Sequence, residues 1–372
     1  MHTPQQTERA QRARLLVGDT IRRLVSRTGL ASLGLAAVVA AIPLVSASAA
    51  TGTLYASALG SGSNSSVWMG THLWVSDHFN GFCRLDAAPT APGGHALNLS
   101  TCNTSAKSPG QATFQVLDPI SGAGFVYVPD NSTKSEGVYR LFFNPLSQTV
   151  SNPTLLGGGQ LGIVNGVAVK PTATAIGPDG NLYVGAIKDG TIWRVNNPAG
   201  ALSAQSVQAI GSSSDGKGVT GIAFANGLPS PFSFIPGDEP QALYLGEGNA
   251  LSKIGTPVAC QAGCVAATIY APAAPQPGAP IPFAPMALTS NGADTLYIGS
   301  DNAHLGPQST VYSYSVSANT MTTYATGGIG ADGKITPFNL ISGVTVNPAG
   351  GLFVNDDPAK GAIPGQARVW AV

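Results

Sequence analysis

The sequence predicts an all-β fold, a six-bladed β-propeller of four-stranded antiparallel blades, on three observations. A short phrase recurs six times, its period is the length of one four-stranded sheet, and the composition disfavours helix. The phrase is apolar, aromatic, apolar, then small or acidic. Its copies are Leu73-Trp74-Val75-Ser76-Asp77, Val126-Tyr127-Val128-Pro129-Asp130, Leu182-Tyr183-Val184-Gly185, Leu243-Tyr244-Leu245-Gly246-Glu247, Leu296-Tyr297-Ile298-Gly299 and Leu352-Phe353-Val354-Asn355-Asp356. Successive copies begin 53, 56, 61, 53 and 56 residues apart, and self-similarity at such a period marks a repeat architecture. With 47 Gly, 28 Pro and only 10% charged residues, few stretches can sustain a solvated helix.

Each copy reads as the second strand of a blade. In the third unit, Ala173-Thr174-Ala175-Ile176 alternates before the turn Gly177-Pro178-Asp179-Gly180-Asn181, and Thr191-Ile192-Trp193-Arg194-Val195 alternates after the phrase. Period-two alternation around Pro-Asp-Gly-Asn signals strand, hairpin, strand. The same order recurs around Leu296 and Leu352, and a fourth strand such as Thr320-Met321-Thr322-Thr323-Tyr324 completes the middle units. The last unit has three strands before the chain stops, while Thr53 to Leu59 forms an orphan strand ahead of the first. An N-terminal strand that completes the last blade would close the ring and protect its edges. Two insertions interrupt the rhythm, Asn226 to Pro240 and the proline-rich Pro272 to Pro285.

Residues 1–50 read as an export signal, and 51–372 as one propeller domain. Arg9, Arg12, Arg14, Arg22, Arg23 and Arg27 precede the apolar run from Gly29 to Val45, and Ala47-Ser48-Ala49 supplies a small-residue cleavage site, with cutting after Ala49 or Ala50. The run is short for a membrane span, so no stable anchor is expected after cleavage. Arg22-Arg23 leaves Sec and twin-arginine export both open, and the destination is the periplasm or the exterior. Without the signal, 12 basic face 16 acidic residues, a net charge of about minus four. No basic stripe is available to neutralise phosphates, so nucleic acid is not an expected partner; a monomer with a small-molecule or protein ligand at a loop face is. All four cysteines lie in the exported part, which favours structural disulfides. Cys260 with Cys264 would close a tight turn, and Cys83 with Cys102 would tie a third strand to the following segment; other pairings stay open from sequence.

The run Gly177 to Gly185 followed by Asp189-Gly190-Thr191-Ile192-Trp193-Arg194-Val195 resembles one repeat of the NHL-type propellers and of the related SMP-30/gluconolactonase-like and streptogramin-lyase-like six-bladed proteins. The resemblance implies the fold and says less of activity, since one scaffold hosts many functions. The lactonase relatives hold a divalent cation in the channel with a Glu, two Asn and an Asp. Asn165-Gly166-Val167-Ala168 is similar to the phrase that carries one of those Asn ligands, so Asn165 is the position carried over. The chain departs from the pattern elsewhere: no Glu-Gly-Pro opens the first blade, and Val219-Thr220-Gly221-Ile222-Ala223 lacks the preceding Asn.

The acids that end the phrase should share one rim of the channel, because strand direction alternates identically in every blade. Asp77, Glu247, Asp356 and Asp357, with Asn165, are the candidate metal ligands, for Ca²⁺ or another hard divalent cation held by oxygens. Against this, an Asp after a strand commonly accepts hydrogen bonds from its own turn. His78 and His304 are candidate acid/base groups on the same face, and a lyase would use one of them. The phrase aromatics are expected to pack between blades rather than to stack a carbohydrate. The expected function is an exported ligand- or protein-binding scaffold. The alternative is a cation-dependent lactone or ester hydrolase with its site at the acidic mouth of the channel.

Overall fold

The structure, a computed structural model, describes residues 49–60, 63–88, 93–133, 136–164, 167–216, 218–225, 241–272, 283–292, 294–301, 309–357 and 366–372. All but the last two residues of the expected export signal, the insertion from Asn226 to Pro240, most of the proline-rich connector, Asn165 and His304 lie outside them.

Among the described residues there is no α-helix, and nearly every element is a strand. The pairings fall into antiparallel runs of four. In the first, Ser63–Met69 pairs His72–Asp77, then Gly81–Ala87, then His95–Asn103. The second runs Thr113–Val116, Gly124–Asp130, Gly137–Asn144, Thr149–Leu155. The third is Pro171–Ile176, Leu182–Ala186, Thr191–Asn196, Ser206–Ser212. The fourth is Val219–Ala225, Ala242–Glu247, Ala250–Ile254, Ala267–Tyr270, and the fifth Pro285–Ser290, Thr295–Ser300, Thr310–Ser315, Thr320–Ile329. In the last run Leu340–Val346 pairs Leu352–Asp357 and then Ala367–Ala371. Its outer strand comes from the far end of the sequence: Ala50–Leu59 pairs antiparallel with Ala367–Ala371, Leu54 opposite Trp370. The same strand lies parallel to Thr320–Ile329 and meets the first run at His95. The fold is a β-propeller.

Turn chemistry fixes the hairpins. Gly180 and Gly350 adopt φ of +73° and +87°, a region glycine enters without a Cβ clash. Asn347 Oδ1 accepts from the Ala349 and Gly351 amides at 3.0 and 2.7 Å, so the side chain itself braces the turn.

The phrase aromatics are the mortar between runs. Trp74, Tyr127 and Tyr183 are fully buried, Tyr244 and Phe353 nearly so, and Tyr297 is half-buried. Trp74 stacks on Phe82 of its own run and meets the edge of Phe143 in the next, with centroids at 5.5 and 6.3 Å. Each apolar cluster joins consecutive runs, and one joins Phe353 and Val369 of the last run to Leu73 and Val75 of the first. Closure is therefore hydrophobic as well as hydrogen-bonded; burying one such aromatic contributes on the order of 3–5 kcal/mol.

Candidate functional site at the centre of the ring

The first strand of every run lines the central channel, and each packs against the next, with Leu340–Val346 returning to Ser63–Met69. The two ends of this channel are built differently.

At the end where these inner strands begin, neighbouring strands close up on one another. A Cβ on Gly110 would collide with the Thr172 carbonyl oxygen, one on Gly221 would lie 2.8 Å from Leu288 N, and one on Gly343 would lie 2.6 Å from Ser65 Cα. Glycine lets neighbouring backbones approach this closely. Hydroxyls bridge the same strands: Ser65 Oγ donates to Gly110 O at 3.0 Å, Thr172 Oγ1 to Val219 O at 2.6 Å, and Thr220 Oγ1 to Pro285 O.

The phrase acids sit at this closed end, opposite the first residues of the inner strands, with Ser63 across from Asp77 and Val219 across from Glu247. Asp77, Asp130, Glu247, Asp301, Asp356 and Asp357 are all buried. Asp130, Glu247 and Asp356 turn oxygens onto the chain segments that enter inner strands, while Asp77 bonds its own following turn. Asp130 accepts from the amides of Lys107, Ser108 and Ser132 at 2.8, 3.0 and 2.9 Å. Asp356 Oδ1 accepts from the Asn339 and Leu340 amides at 2.7 and 3.1 Å, and Oδ2 from the Trp370 indole at 3.1 Å. Burial raises the Asp356 carboxyl above its ordinary value, against the pull of those donors. Glu247 Oε2 accepts from the Ser214 amide and hydroxyl at 2.7 and 2.9 Å, and Oε1 has no partner among the described residues. Asp77 Oδ1 takes three donors from Phe79 and Asn80, and Oδ2 has none among the described residues.

Of the predicted metal ligands, Asn165 lies outside the described residues and the four carboxylates are spread over three runs. Asp77 belongs to the first run and Glu247 to the fourth, across the ring from one another, while Asp356 and Asp357 belong to the last. Among the described residues no three His, Cys, Asp or Glu side chains come together as a metal site would require. His78 is exposed, its Nδ1 3.3 Å from Ser108 Oγ. The cysteines form two disulfides, Cys83–Cys102 and Cys260–Cys264. No described helix is long and apolar enough to cross a membrane.

At the hairpin end the channel opens into a cup of about 330 Å³, walled by all the inner strands. Its polar groups are the hydroxyls of Ser66, Thr113, Thr174, Thr289, Ser290 and Thr345 and the amides of Gln111 and Gln241; Phe114, Ile176 and Phe224 supply apolar wall. None of the described lining residues is ionisable. Several protons are already committed to the protein: Ser66 Oγ donates to Asn355 Oδ1 at 2.7 Å, and Thr174 Oγ1 is shared between Gln111 O and Tyr127 O at 3.0 and 3.2 Å. The Gln111 side chain crosses the channel, its Nε2 donating to Ile222 O at 2.8 Å and Leu288 O at 3.0 Å.

Sequence reasoning found the acids and missed the cup. The alternating threonines of the inner strands were its only signal, and Thr-rich alternation reads equally as ordinary half-buried strand. Gln111, in the link after Ser108-Pro109-Gly110, reads as a solvated loop residue.

No protein-family model matches the chain, and no curated protein matches its sequence. Solved structures do match its shape. A gluconolactonase from Xanthomonas campestris aligns at 12% identity with a TM-score of 0.51, over 85% of this chain and 86% of that one. A carbohydrate-active enzyme of family AA12 from Trichoderma reesei aligns at 15% identity with a TM-score of 0.51, over 87% and 96%. A putative gluconolactonase aligns at 11% identity with a TM-score of 0.50, over 87% and 92%. At such identities the likeness is one of fold alone: the chain has the β-propeller fold of these structures.

Proposed function

We propose that this protein is an exported, monomeric, six-bladed β-propeller that takes a small, uncharged, hydroxyl-rich molecule of the sugar or sugar-lactone class into the cup and acts on it there. The observation that carries the reading is the cup wall, rich in hydroxyls and without an ionisable described residue. An anionic or cationic ligand would shed its hydration there without meeting an opposite charge. A hydroxyl-rich neutral ligand would exchange water for wall hydrogen bonds at little net cost. The propeller structures described as a gluconolactonase and as a carbohydrate-active enzyme support turnover over mere display, and support this ligand class. The six recurrences of the phrase and the packing of the last run on the first support the blade count. Two disulfides support an oxidising destination.

A second reading, ligand binding without turnover, is favoured by the lack of an ionisable group among the described lining residues. The cation-dependent hydrolase expected of the lactonase relatives is a poor fit to the described carboxylates. Asp130 and Asp356 spend both oxygens on protein donors, and no three described His, Cys, Asp or Glu side chains come together.

The test is binding and hydrolysis of aldonolactones, their parent sugars and the corresponding sugar acids by the purified exported chain, with and without chelator. Binding of lactone or sugar but not of the acid is expected, unaffected by chelator. Preference for the acid would overturn the ligand class, and a stoichiometric metal whose removal abolishes hydrolysis would reinstate the cation mechanism.

A further inference from the structure

We propose that Gln111 is the floor of the cup and its specificity-determining residue, closing the channel between the open mouth and the closed end and presenting its amide oxygen to the buried end of the ligand. The closure stands on geometry. Gln111 enters from the second run, where its backbone is fully used: its N–H donates to Thr172 O at 2.8 Å, and its carbonyl accepts from Thr174 N at 2.9 Å. Its side chain then reaches the fourth and fifth runs on the other side of the ring, where Nε2 donates to Ile222 O and Leu288 O. An amide nitrogen has two protons, and both are spent on carbonyls. Among the described residues Oε1 receives only a long contact of 3.4 Å from Leu288 N, so this oxygen keeps acceptor capacity at the bottom of the cup.

The ligand chemistry follows from what is left over, and this part rests on the reading of the cup given above. The innermost polar atoms are acceptors: Gln111 Oε1, with Ser66 and Thr174 having committed their protons to Asn355, Gln111 and Tyr127. The matching ligand end is a hydrogen-bond donor without charge, a sugar or polyol hydroxyl. A carboxylate end would set acceptor against acceptor, which costs the desolvation of both. Thr113, Thr289 and Thr345, nearer the rim, have hydroxyls able to serve either way.

Two readouts separate the floor from the ligand. Thr172 is buried one residue beyond the strand position paired with Gln111, and the chain's four cysteines are all disulfide-bonded, so Thr172→Cys introduces a lone thiol behind the floor. With a small neutral methanethiosulfonate, this thiol is expected to label at least tenfold faster when Gln111→Ala is added, and to stay slow with Gln111→Met, which keeps the bulk. Equal rates with and without Gln111→Ala overturn the floor, as does fast labelling with Gln111→Met, which would report a loosened ring instead. In the second readout, affinity for a neutral sugar or lactone is expected to fall at least tenfold in both Gln111→Ala and Gln111→Met while the melting curve stays cooperative. Unchanged affinity overturns the specificity role. If the wild-type protein binds no member of the panel, the cup's ligand class and the specificity role fall together, while the labelling decides the floor on its own.

Discussion

The two ends of one channel, made from the same strands, differ in what their polar groups face. At the closed end, carboxylates as buried as Asp130 and Asp356 point at backbone amides of the segments entering each blade. At the hairpin end, uncharged hydroxyls, buried or half-buried, face an open cup. Charge in a ring protein is thus not a guide to the site by itself. A buried carboxylate saturated by two or three donors is a structural clamp, and each bond of that kind is stronger than a neutral one. A hydroxyl with one proton committed and its lone pairs free is a binding group.

The largest effect that would break this contrast is on stability. Asp356→Ala strands the amides of Asn339 and Leu340 and the Trp370 indole without an acceptor, at roughly 1–3 kcal/mol for each buried group. Thermal melting is expected to fall by roughly 10 °C, with ligand affinity unchanged in the folded protein. A drop in affinity at unchanged stability would give the closed end a binding role. Next is Thr289→Glu, which sets a charge in the cup wall: calorimetry is expected to show ligand affinity falling about 100-fold, roughly 2.7 kcal/mol, with little change in melting. Thr345→Val removes one hydroxyl and is expected to cost about 1 kcal/mol of binding, measured by the same titration.

The smallest effects are in pH. Burial lifts the folded-state carboxyl of Asp356 above its unfolded value of about 3.9, so the folded protein holds that proton more tightly. Its contribution to stability therefore falls as pH rises from about 4 through the raised value, and is flat above it. Asp86 runs the other way. The side-chain bond from Arg84 lowers it, so its contribution is present above about pH 4 and is lost as pH falls through the depressed value. Denaturant melts of Asp356→Asn against pH are expected to lose the descending arm and keep the acid-side loss. Ligand affinity, with no ionisable group among the described cup residues, is expected to be flat from about pH 5 to 8.

How much of this was legible in the sequence follows from how local each signal is. The aromatic of each phrase could be assigned to packing because its period is that of the blade, and Trp74 and Tyr183 are buried between runs as that period requires. The orphan strand at Thr53 could be assigned to the last blade because a ring has one place left for it. The acids were visible as residues, but their partners were not: Asp356 answers amides 16 and 17 residues earlier, in an unremarkable Phe338-Asn339-Leu340. Gln111 was invisible for the same reason in stronger form. Its partners are 111 and 177 residues away, and no local pattern encodes a contact across a ring diameter.

The central claim, that the hairpin cup binds and the acid-bearing end clamps, is tested most directly by one titration. Calorimetry with a neutral sugar and its lactone should be run on Asp77→Asn and Thr289→Glu side by side, Asp77 being, with Glu247, one of two buried acids at that end with an oxygen that no described residue bonds. Wild-type affinity is expected in Asp77→Asn and loss of binding in Thr289→Glu. Loss in Asp77→Asn with retention in Thr289→Glu would contradict it and move the site to the opposite end of the channel.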